Sequence, residues 1–284
     1  MKKFLVLLFA LILPDLANAD SVILMIGDGM GTNHLKCAGQ AKPIYIPTLP
    51  VKGTVHTRSA DSDVTDSAAS ATAYSCGQKT NRYFLGKLPN GEDCFTIAEE
   101  AIQKGLPVGI YSNDYWAGAT PSAFYAHTTD RQDHEKIEKD KQAAAENMDI
   151  AVPVDNIADE VSARLNFLSE KSAGKGFFSM FEEFGVDSYS HGNNLENMKD
   201  SLYVFDHAVM NAADFVYKNP DATMIVLADH ETGGLTDECQ FTTGDHTGAD
   251  ISVFAYGKHA EMFAGEQDNT EIYQKMHQIL FGNQ

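Results

Sequence analysis

Residues 21–31, with the sequence SVILMIGDGMG, determine the fold class more than any other stretch of the chain. Residues 21–26 form an unbroken apolar run, which is typical of a β-strand buried on both faces of a sheet. The run leads into Asp28 within a glycine-rich segment, where glycines permit a tight turn and the close approach of a ligand. This opening therefore predicts a buried strand with a polar side chain at its carboxyl end.

The rest of the chain alternates between strand and helix patterns. Further strands are predicted at residues 51–58, 108–111, 175–181, 222–227 and 253–256. Helices are predicted at residues 96–104, 131–147, 195–217 and 271–280. Because strands that alternate with helices form sheets covered by those helices, we expect an α/β fold with a mostly parallel central sheet and helices on both faces.

The amino terminus has the pattern of a signal peptide. Lys2 and Lys3 precede an apolar run at residues 4–13, which is short for a membrane span, and Ala-Asn-Ala at residues 17–19 matches a cleavage site. We therefore expect a signal peptide at residues 1–19, a single catalytic domain at residues 20–284, and a periplasmic or secreted protein. The alternative is an uncleaved membrane anchor.

The composition limits the partners. The 284 residues carry a formal net charge of −19, which argues against nucleic acid and anionic membranes as partners of the mature protein. An anionic substrate then needs local positive charge from metal ions or from an arginine. The four cysteines permit two disulfides in any of three pairings, and none has the paired spacing of a structural zinc site.

Polar side chains collect at the ends of the predicted strands and in short motifs. The candidates at strand ends, where open α/β sheets bind ligands, are Asp28, Glu182, Asp229 and His230. Asp187 and His191 follow Glu182 in an E-x4-D-x3-H pattern, and His246 lies in a glycine-flanked loop. Carboxylates together with imidazoles suit zinc, whereas sets of oxygen ligands suit magnesium. The pattern as a whole predicts metal sites.

Residues 65–73, TDSAASATA, place Ser67 at the start of an alanine-rich helix. Small neighbours allow a ligand to approach closely, and a helix amino terminus favours bound anions. No base adjoins Ser67 in the sequence, and a serine hydroxyl is a weak nucleophile until a base or a metal ion activates it. Together with the candidate ligands, this segment predicts a serine nucleophile activated by metal ions.

Six segments follow one another along the chain: ILMIGDGMG, TDSAASATA, ATPSAFYAHTTDR, FEEFGVDSYSH, LADHETGG and GDHTG. They resemble the ordered signature motifs of the alkaline phosphatase family and extend from residue 23 to residue 248. The resemblance implies an alkaline-phosphatase-like fold and a metal-dependent phosphomonoesterase that acts through a phosphoserine intermediate. It also implies two Zn²⁺ and one Mg²⁺ per chain, with small phosphomonoesters as substrates and inorganic phosphate as product.

The same resemblance implies a role for each site residue. Ser67 would be the nucleophile, and Arg131, held in place by Asp66, would bind the phosphate. The first zinc ion would be held by Asp28, Asp229 and His230, and the second by Asp187, His191 and His246. The magnesium ion would be held by Asp28, Thr120 and Glu182.

Two positions depart from the family pattern. Gly118, two residues before Thr120, stands where some relatives have an aspartate or a histidine, which implies looser magnesium binding. Ser188 stands where other members place a larger side chain near the phosphate, which leaves Arg131 as the main contact and implies weaker product binding. The chain also has little room for the insertions that build the dimer interface of larger members. A homodimer would therefore need another interface, and that alternative remains open.

Two other functions remain open. A phosphodiesterase or a sulfatase-like hydrolase would use the same scaffold, although Asp66-Ser67-Ala68 followed much later by Arg131 favours the monoesterase. A metal-binding or phosphate-binding protein without turnover would be favoured by the loss of a ligand or of the nucleophile. Every expected position is filled in this sequence, which argues against that reading.

Overall fold

The structure is a computed structural model that describes residues 20–282. The predicted signal peptide, residues 1–19, lies outside the described residues. Between residues 20 and 282 no helix is both long enough and apolar enough to cross a membrane. The first strand, β1 (Ser21–Gly27), is buried along its whole length, as the apolar run predicts.

Ten strands in the described part of the chain form one large sheet and one small sheet. After β1 they are β2 (Val51–His56), β3 (Val108–Ser112), β4 (Asp149–Ala151), β5 (Phe178–Glu183), β6 (Ala222–Leu227), β7 (Glu231–Thr232), β8 (His246–Thr247), β9 (Ile251–Gly257) and β10 (Gly265–Asp268). The eight-stranded sheet has the order β10-β2-β9-β6-β1-β5-β3-β4, and β9 runs antiparallel to both of its neighbours. The other pairs in this sheet are parallel, so the mostly parallel sheet is confirmed.

Helices cover both faces of the large sheet. Those of the described residues are α1 (Thr32–Ala41), α2 (Ser67–Cys76), α3 (Ile97–Gln103), α4 (Ala119–Ser122), α5 (His134–Ala144), α6 (Ile157–Ser172), α7 (Gly185–His191), α8 (Leu195–Lys218) and α9 (Asn269–Phe281). In one layer α6 and α8 pack against each other and against β5. In the other layer α2 packs against α3, α4 and α9. This arrangement buries the apolar sheet on both sides, as the α/β prediction requires.

The register of the central strands places their polar side chains at one edge. Ile26 of β1 pairs with Glu182 of β5 on one side and with Leu227 of β6 on the other. The chain then continues into Asp28 after β1 and into the Asp229-His230 pair after β6. Because these strands are parallel, their carboxyl ends meet at the same edge of the sheet, and the candidate ligands meet there too.

The structure differs from the sequence predictions in several elements, and it contains α1, α4, α7, β4, β7, β8 and β10, which the predictions lack. The helix predicted at residues 131–147 begins at His134, because the side chain of Asp133 caps it by accepting a hydrogen bond from the backbone N–H of Lys136 at 3.1 Å. Arg131 therefore lies in a loop. Glu182 is inside β5 rather than after its end. The sequence predictions also lack α6, although its buried residues recur at helical spacing.

The cysteines form two disulfides, Cys37–Cys239 and Cys76–Cys94. The first joins α1 to the long loop between β7 and β8, and the second joins the end of α2 to the segment before α3. Their Cα atoms are 5.7 and 6.0 Å apart, within the range that a disulfide spans. The fold thereby selects one of the three pairings that the sequence leaves open.

Candidate active site

Ser67 is the first residue of α2 and is buried, with 4% of its surface exposed. Asp66 caps the helix, because its carboxylate accepts a hydrogen bond from the backbone N–H of Ala69 at 3.1 Å. The Oγ atom of Ser67 lies 3.3 Å from Nε2 of His230, which follows β6. The serine hydroxyl therefore lies at the positive end of the helix dipole and against one of the predicted zinc ligands.

Asp28, Asp229 and His230 form a buried group beside this serine. Nε2 of His230 lies 3.4 Å from Oδ1 of Asp28 and 3.2 Å from Oδ2 of Asp229. Both of these carboxylate oxygens are buried and accept no hydrogen bond from the described residues. Burial raises the pKa of Asp28 well above its ordinary value, and the charge of Asp229 adds to this effect. The structure thus brings the first predicted ligand set together.

Asp187, His191 and His246 form a second group next to the first. Nε2 of His191 lies 3.4 Å from Oδ2 of Asp187 and 3.2 Å from Nε2 of His246. Nε2 of His246 is in turn 3.6 Å from Oδ1 of Asp187. The ring of His246 stacks on that of His230, with the ring centres 3.7 Å apart. The two ligand sets are therefore adjacent, as a pair of neighbouring cations would require.

The charges of this second group are strongly linked. Burial opposes the ionisation of Asp187, but the hydrogen bond from His191 and the nearby histidine charges hold its pKa below the ordinary value. The same hydrogen bond raises the pKa of His191 to about 9. Burial, followed by the charge of His230, lowers the pKa of His246 to about 4. A neutral imidazole is the form that binds a metal ion, so His246 is ready to bind, whereas His191 must lose a proton.

Thr232 and Gly29 support these ligands; sequence reasoning gave Thr232 no role and gave Gly29 only that of permitting a turn and the close approach of a ligand. Oγ1 of Thr232 donates a hydrogen bond to Oδ1 of Asp187 and lies 3.2 Å from Nδ1 of His230, so it fixes both side chains. Gly29 has a φ of +68°, and a Cβ atom there would lie 2.8 Å from Oδ1 of Asp187. A side chain cannot fit in that space. The sequence signal that could have identified them is their position in two of the motifs, Gly29 in GDGMG and Thr232 in LADHETGG.

Glu182 and Thr120 form a third polar group. Oε2 of Glu182 accepts a hydrogen bond from the hydroxyl of Ser112, at the end of β3. Oε1 of Glu182 and Oγ1 of Thr120 are buried without a hydrogen-bond partner among the described residues. Burial, followed by the charge of Asp114, raises the pKa of Glu182 well above its ordinary value. Asp114 had no role in the sequence predictions.

Arg131 is anchored at the mouth of the site. Its Nη1 donates a hydrogen bond to Oδ2 of Asp66 at 3.1 Å, and 22% of its side chain is exposed. Its backbone N–H donates to the carbonyl of Tyr83 at 2.8 Å. Burial opposes the charge, but Asp66 outweighs it and raises the pKa of Arg131. The guanidinium is thus a fixed, permanently charged donor held by the residue that precedes Ser67.

The donor set of this site fits divalent cations. Four buried carboxylates, from Asp28, Glu182, Asp187 and Asp229, lie at one edge of the sheet. Several of their oxygen atoms have no hydrogen-bond donor within the described chain, and buried polar atoms without partners are costly. Imidazoles accompany the carboxylates in two groups, which suits zinc, whereas the third group offers oxygen atoms, which suits magnesium. Cations at these positions would satisfy the free oxygen atoms and balance the charge.

Comparison with known sequences identifies relatives over the whole described chain. The sequence model of the family described as alkaline phosphatase matches residues 19–158, 151–240 and 236–281. Alkaline phosphatase 4 of Bacillus subtilis (strain 168) is 26% identical over 294 residues, which cover 78% of this chain and 63% of that protein. Alkaline phosphatase 3 of the same organism is 22% identical over 409 residues, which cover 92% of this chain and 88% of that protein. The chain therefore spans less than two thirds of the first of these relatives.

Solved structures give the same result. Alkaline phosphatase from the Antarctic bacterium TAB5 superimposes with a TM-score of 0.85 at 25% identity, covering 93% of this chain and 98% of that one. A variant of the same enzyme, with a TM-score of 0.83, has magnesium bound in its M3 site. The similarity extends over nearly all of both chains, so the alkaline-phosphatase-like fold is confirmed.

Proposed function

The chain belongs to the alkaline phosphatase family, and from this premise we propose that it is a metal-dependent phosphomonoesterase. It hydrolyses small phosphomonoesters through a phosphoserine at Ser67 and releases inorganic phosphate. One observation carries the proposal: the hydroxyl of Ser67, at the amino terminus of α2, lies 3.3 Å from His230 within a group of unsatisfied buried carboxylates. That setting suits a serine activated by bound cations.

The proposal assigns three cations to the three polar groups. Asp28, Asp229 and His230 would hold one zinc ion, and Asp187, His191 and His246 would hold a second. Asp28, Thr120 and Glu182 would hold a magnesium ion, which the free oxygen atoms of Thr120 and Glu182 support. When bound, such cations lower the pKa of a serine hydroxyl or of water and offset the negative charge of the reacting phosphoryl group.

The residues of the chain account for the remaining steps. Oγ of Ser67 gives its proton to solvent and attacks phosphorus, the ester P–O bond breaks, and the leaving alkoxide takes up a proton from solvent. Water then attacks the phosphoserine, the bond between Oγ of Ser67 and phosphorus breaks, a proton of that water passes through solvent to Oγ, and phosphate leaves. Arg131 donates N–H groups to two phosphate oxygens, which requires the planar fork that Asp66 holds in position. The N–H groups of the first turn of α2 add further stabilisation of negative charge.

Hydrolysis of p-nitrophenyl phosphate tests this proposal. We expect activity near pH 9 that a chelator removes and that added Zn²⁺ and Mg²⁺ restore. Ser67→Ala should be folded and inactive, whereas Ser162→Ala, at an exposed serine of α6, should be fully active. Acid quenching followed by mass spectrometry should find phosphate on Ser67. A metal-loaded, folded protein without activity would overturn the proposal, and faster hydrolysis of bis(p-nitrophenyl) phosphate would favour a phosphodiesterase.

We also propose that the protein is exported and that residues 20–284 act as one catalytic domain. Two disulfides support export, because such bonds persist in oxidising compartments. Amino-terminal sequencing of the protein recovered from the periplasm or the medium should find Asp20 as the first residue. Recovery of the chain with residues 1–19 still attached, in the membrane fraction, would overturn this part.

A further inference from the structure

Gly118 immediately precedes α4 and is the position at which the sequence analysis noted a glycine in place of an aspartate or a histidine. Its backbone has a φ of −50°, which any residue can adopt, so the backbone does not require glycine. A Cβ atom at Gly118 would instead lie 2.2 Å from Oδ2 of Asp114. The carboxylate of Asp114 therefore fills the space in which a side chain at position 118 would begin.

The local backbone directs Asp114 to this place. The backbone N–H of Gly118 donates a hydrogen bond to the carbonyl of Tyr115 at 2.8 Å, so the chain turns back over itself between the two positions. The backbone N–H of Asp114 donates to the hydroxyl of Ser112 at 2.8 Å, and that hydroxyl donates to Glu182. Asp114 is thus tied through one serine to a predicted magnesium ligand.

The carboxylate of Asp114 is buried and only partly satisfied. Only 4% of the residue is exposed, and its Oδ1 accepts a hydrogen bond from the backbone N–H of Tyr115 at 2.7 Å. No hydrogen bond to its Oδ2 is present in the described part of the chain, so this oxygen is available to a cation or to a water bound to one.

Two neighbouring groups point independently to a ligand. Oγ1 of Thr120 and Oε1 of Glu182 are buried, at 1% and 0% exposure, and have no partner within residues 20–282. The hydroxyl of Ser112 connects Asp114 to Glu182, because it accepts from the backbone N–H of Asp114 and donates to Oε2 of Glu182. Two buried carboxylates beside an unsatisfied hydroxyl form a typical set of oxygen donors for magnesium.

We propose that Asp114 supplies the carboxylate that Gly118 lacks, and that Asp28, Thr120, Glu182 and Asp114 together bind Mg²⁺. Magnesium usually retains several waters, and a carboxylate beside its ligands can hold those waters as well as offset its charge. The inference rests on the proposed function for the identity of the third site. It replaces the expectation that glycine at position 118 makes magnesium binding loose.

Arg131 offers a competing partner for Asp114. Its charge acts on Asp114 and lowers the pKa of that carboxyl, against the larger effect of burial. Arg131 already has a carboxylate partner, Asp66, at 3.1 Å, whereas no direct hydrogen bond between Arg131 and Asp114 exists in the described structure. A role limited to Arg131 would change phosphate binding and leave magnesium binding intact, so the two assignments can be separated.

Magnesium titration of the zinc-loaded protein by calorimetry tests the inference. We expect Asp114→Asn, which keeps the shape of the side chain, to weaken Mg²⁺ binding about tenfold or more. The double variant Asp114→Gly, Gly118→Asp returns a carboxylate to the same space, and its Mg²⁺ affinity should recover to within about threefold of the wild type. Asp155→Asn, at an exposed aspartate, serves as the matched control and should bind Mg²⁺ normally.

Two results would overturn the inference. One is an unchanged Mg²⁺ affinity in folded Asp114→Asn. The other is a larger inhibition constant for phosphate in this variant at unchanged Mg²⁺ affinity, which would show that Asp114 acts through Arg131 on phosphate binding. Failure of the proposed function is distinguishable, because calorimetry does not depend on turnover. An inactive wild-type protein that still binds Mg²⁺ through Asp114 would remove the phosphatase proposal and keep this site.

Discussion

Asp66 stabilises the fold and positions the phosphate-binding arginine, so its replacement should affect both. Its carboxylate accepts hydrogen bonds from the backbone N–H groups of Ala69 and Tyr83 at 3.1 and 3.2 Å and from Nη1 of Arg131 at 3.1 Å. Loss of a helix cap costs about 1 kcal/mol, and each of the other two hydrogen bonds is worth about 1 kcal/mol. The value of about 1 kcal/mol, rather than the larger value of a fully buried charged pair, applies to the hydrogen bond between Arg131 and Asp66 because the side chain of Arg131 is partly exposed. We therefore expect Asp66→Ala to lower the free energy of unfolding by about 3 kcal/mol.

Asp66→Asn separates the two roles. Its amide oxygen can still accept from Ala69 and cap α2, but its N–H₂ group faces Arg131, and two donors do not attract each other. We expect this variant to lose about 1 kcal/mol of stability. Both variants should bind phosphate about tenfold more weakly, since a free guanidinium must be ordered when phosphate binds, and tenfold corresponds to about 1.4 kcal/mol.

Guanidinium unfolding and competitive inhibition by phosphate measure the two effects side by side, with Asp155→Asn as an exposed control. Equal destabilisation of the Ala and Asn variants would show that the cap does not depend on the side-chain oxygen. An unchanged phosphate inhibition constant in Asp66→Asn would refute the positioning of Arg131 by this carboxylate.

Two further predictions concern stability. Replacing both cysteines of the Cys37–Cys239 disulfide by serine should lower the free energy of unfolding by about 5 kcal/mol, and the same change at Cys76–Cys94 should lower it by about 3 kcal/mol. The difference is expected because the sequence separations are 202 and 18 residues, and a longer loop loses more entropy when it is closed. Denaturant unfolding measures both losses, and the reverse order would contradict this reasoning. Burial lowers the pKa of His127, but its hydrogen bonds to Glu99 and to the Gly86 carbonyl, together with the nearby negative charges, outweigh burial and raise the pKa above 6.5. The contribution of His127 to stability is therefore complete below pH 6.5 and is lost as the pH rises through the raised pKa. The stability lost in His127→Gln should therefore be larger at about pH 6 than at about pH 10, and equal losses at the two pH values would contradict it.

The predictable part of this fold follows from local patterns. The apolar runs of β1 and β6 need no partner in the sequence to be recognised, because a strand buried on both faces is apolar throughout. The capped helix α3 is recognisable in the same way, since Thr96 and Glu99 form a capping box within four residues. The amphipathic helix α6 carries an equally local pattern, so it too is predictable from the sequence.

The boundary near Arg131 shows where local patterns fail. The charged run after it continues a helical composition, so the sequence predicts a helix from residue 131. The backbone N–H of Arg131 instead bonds to Tyr83, a residue far away in the chain, and Asp133 starts the helix. A distant contact therefore decides the boundary, and with it the placement of the guanidinium.

The sequence by itself determined the α/β class, the edge of the sheet at which the site lies, and the family to which the chain belongs. These follow from hydrophobic periodicity and from short motifs, which depend on neighbours within a few residues. The tertiary structure alone decided the disulfide pairing, the contact of Thr232 with both ligand groups, and the filling of the space beside Gly118 by Asp114. Each of these depends on which loops meet when the strands pair and the helices pack against the sheet. That is a property of the whole chain rather than of any segment of it.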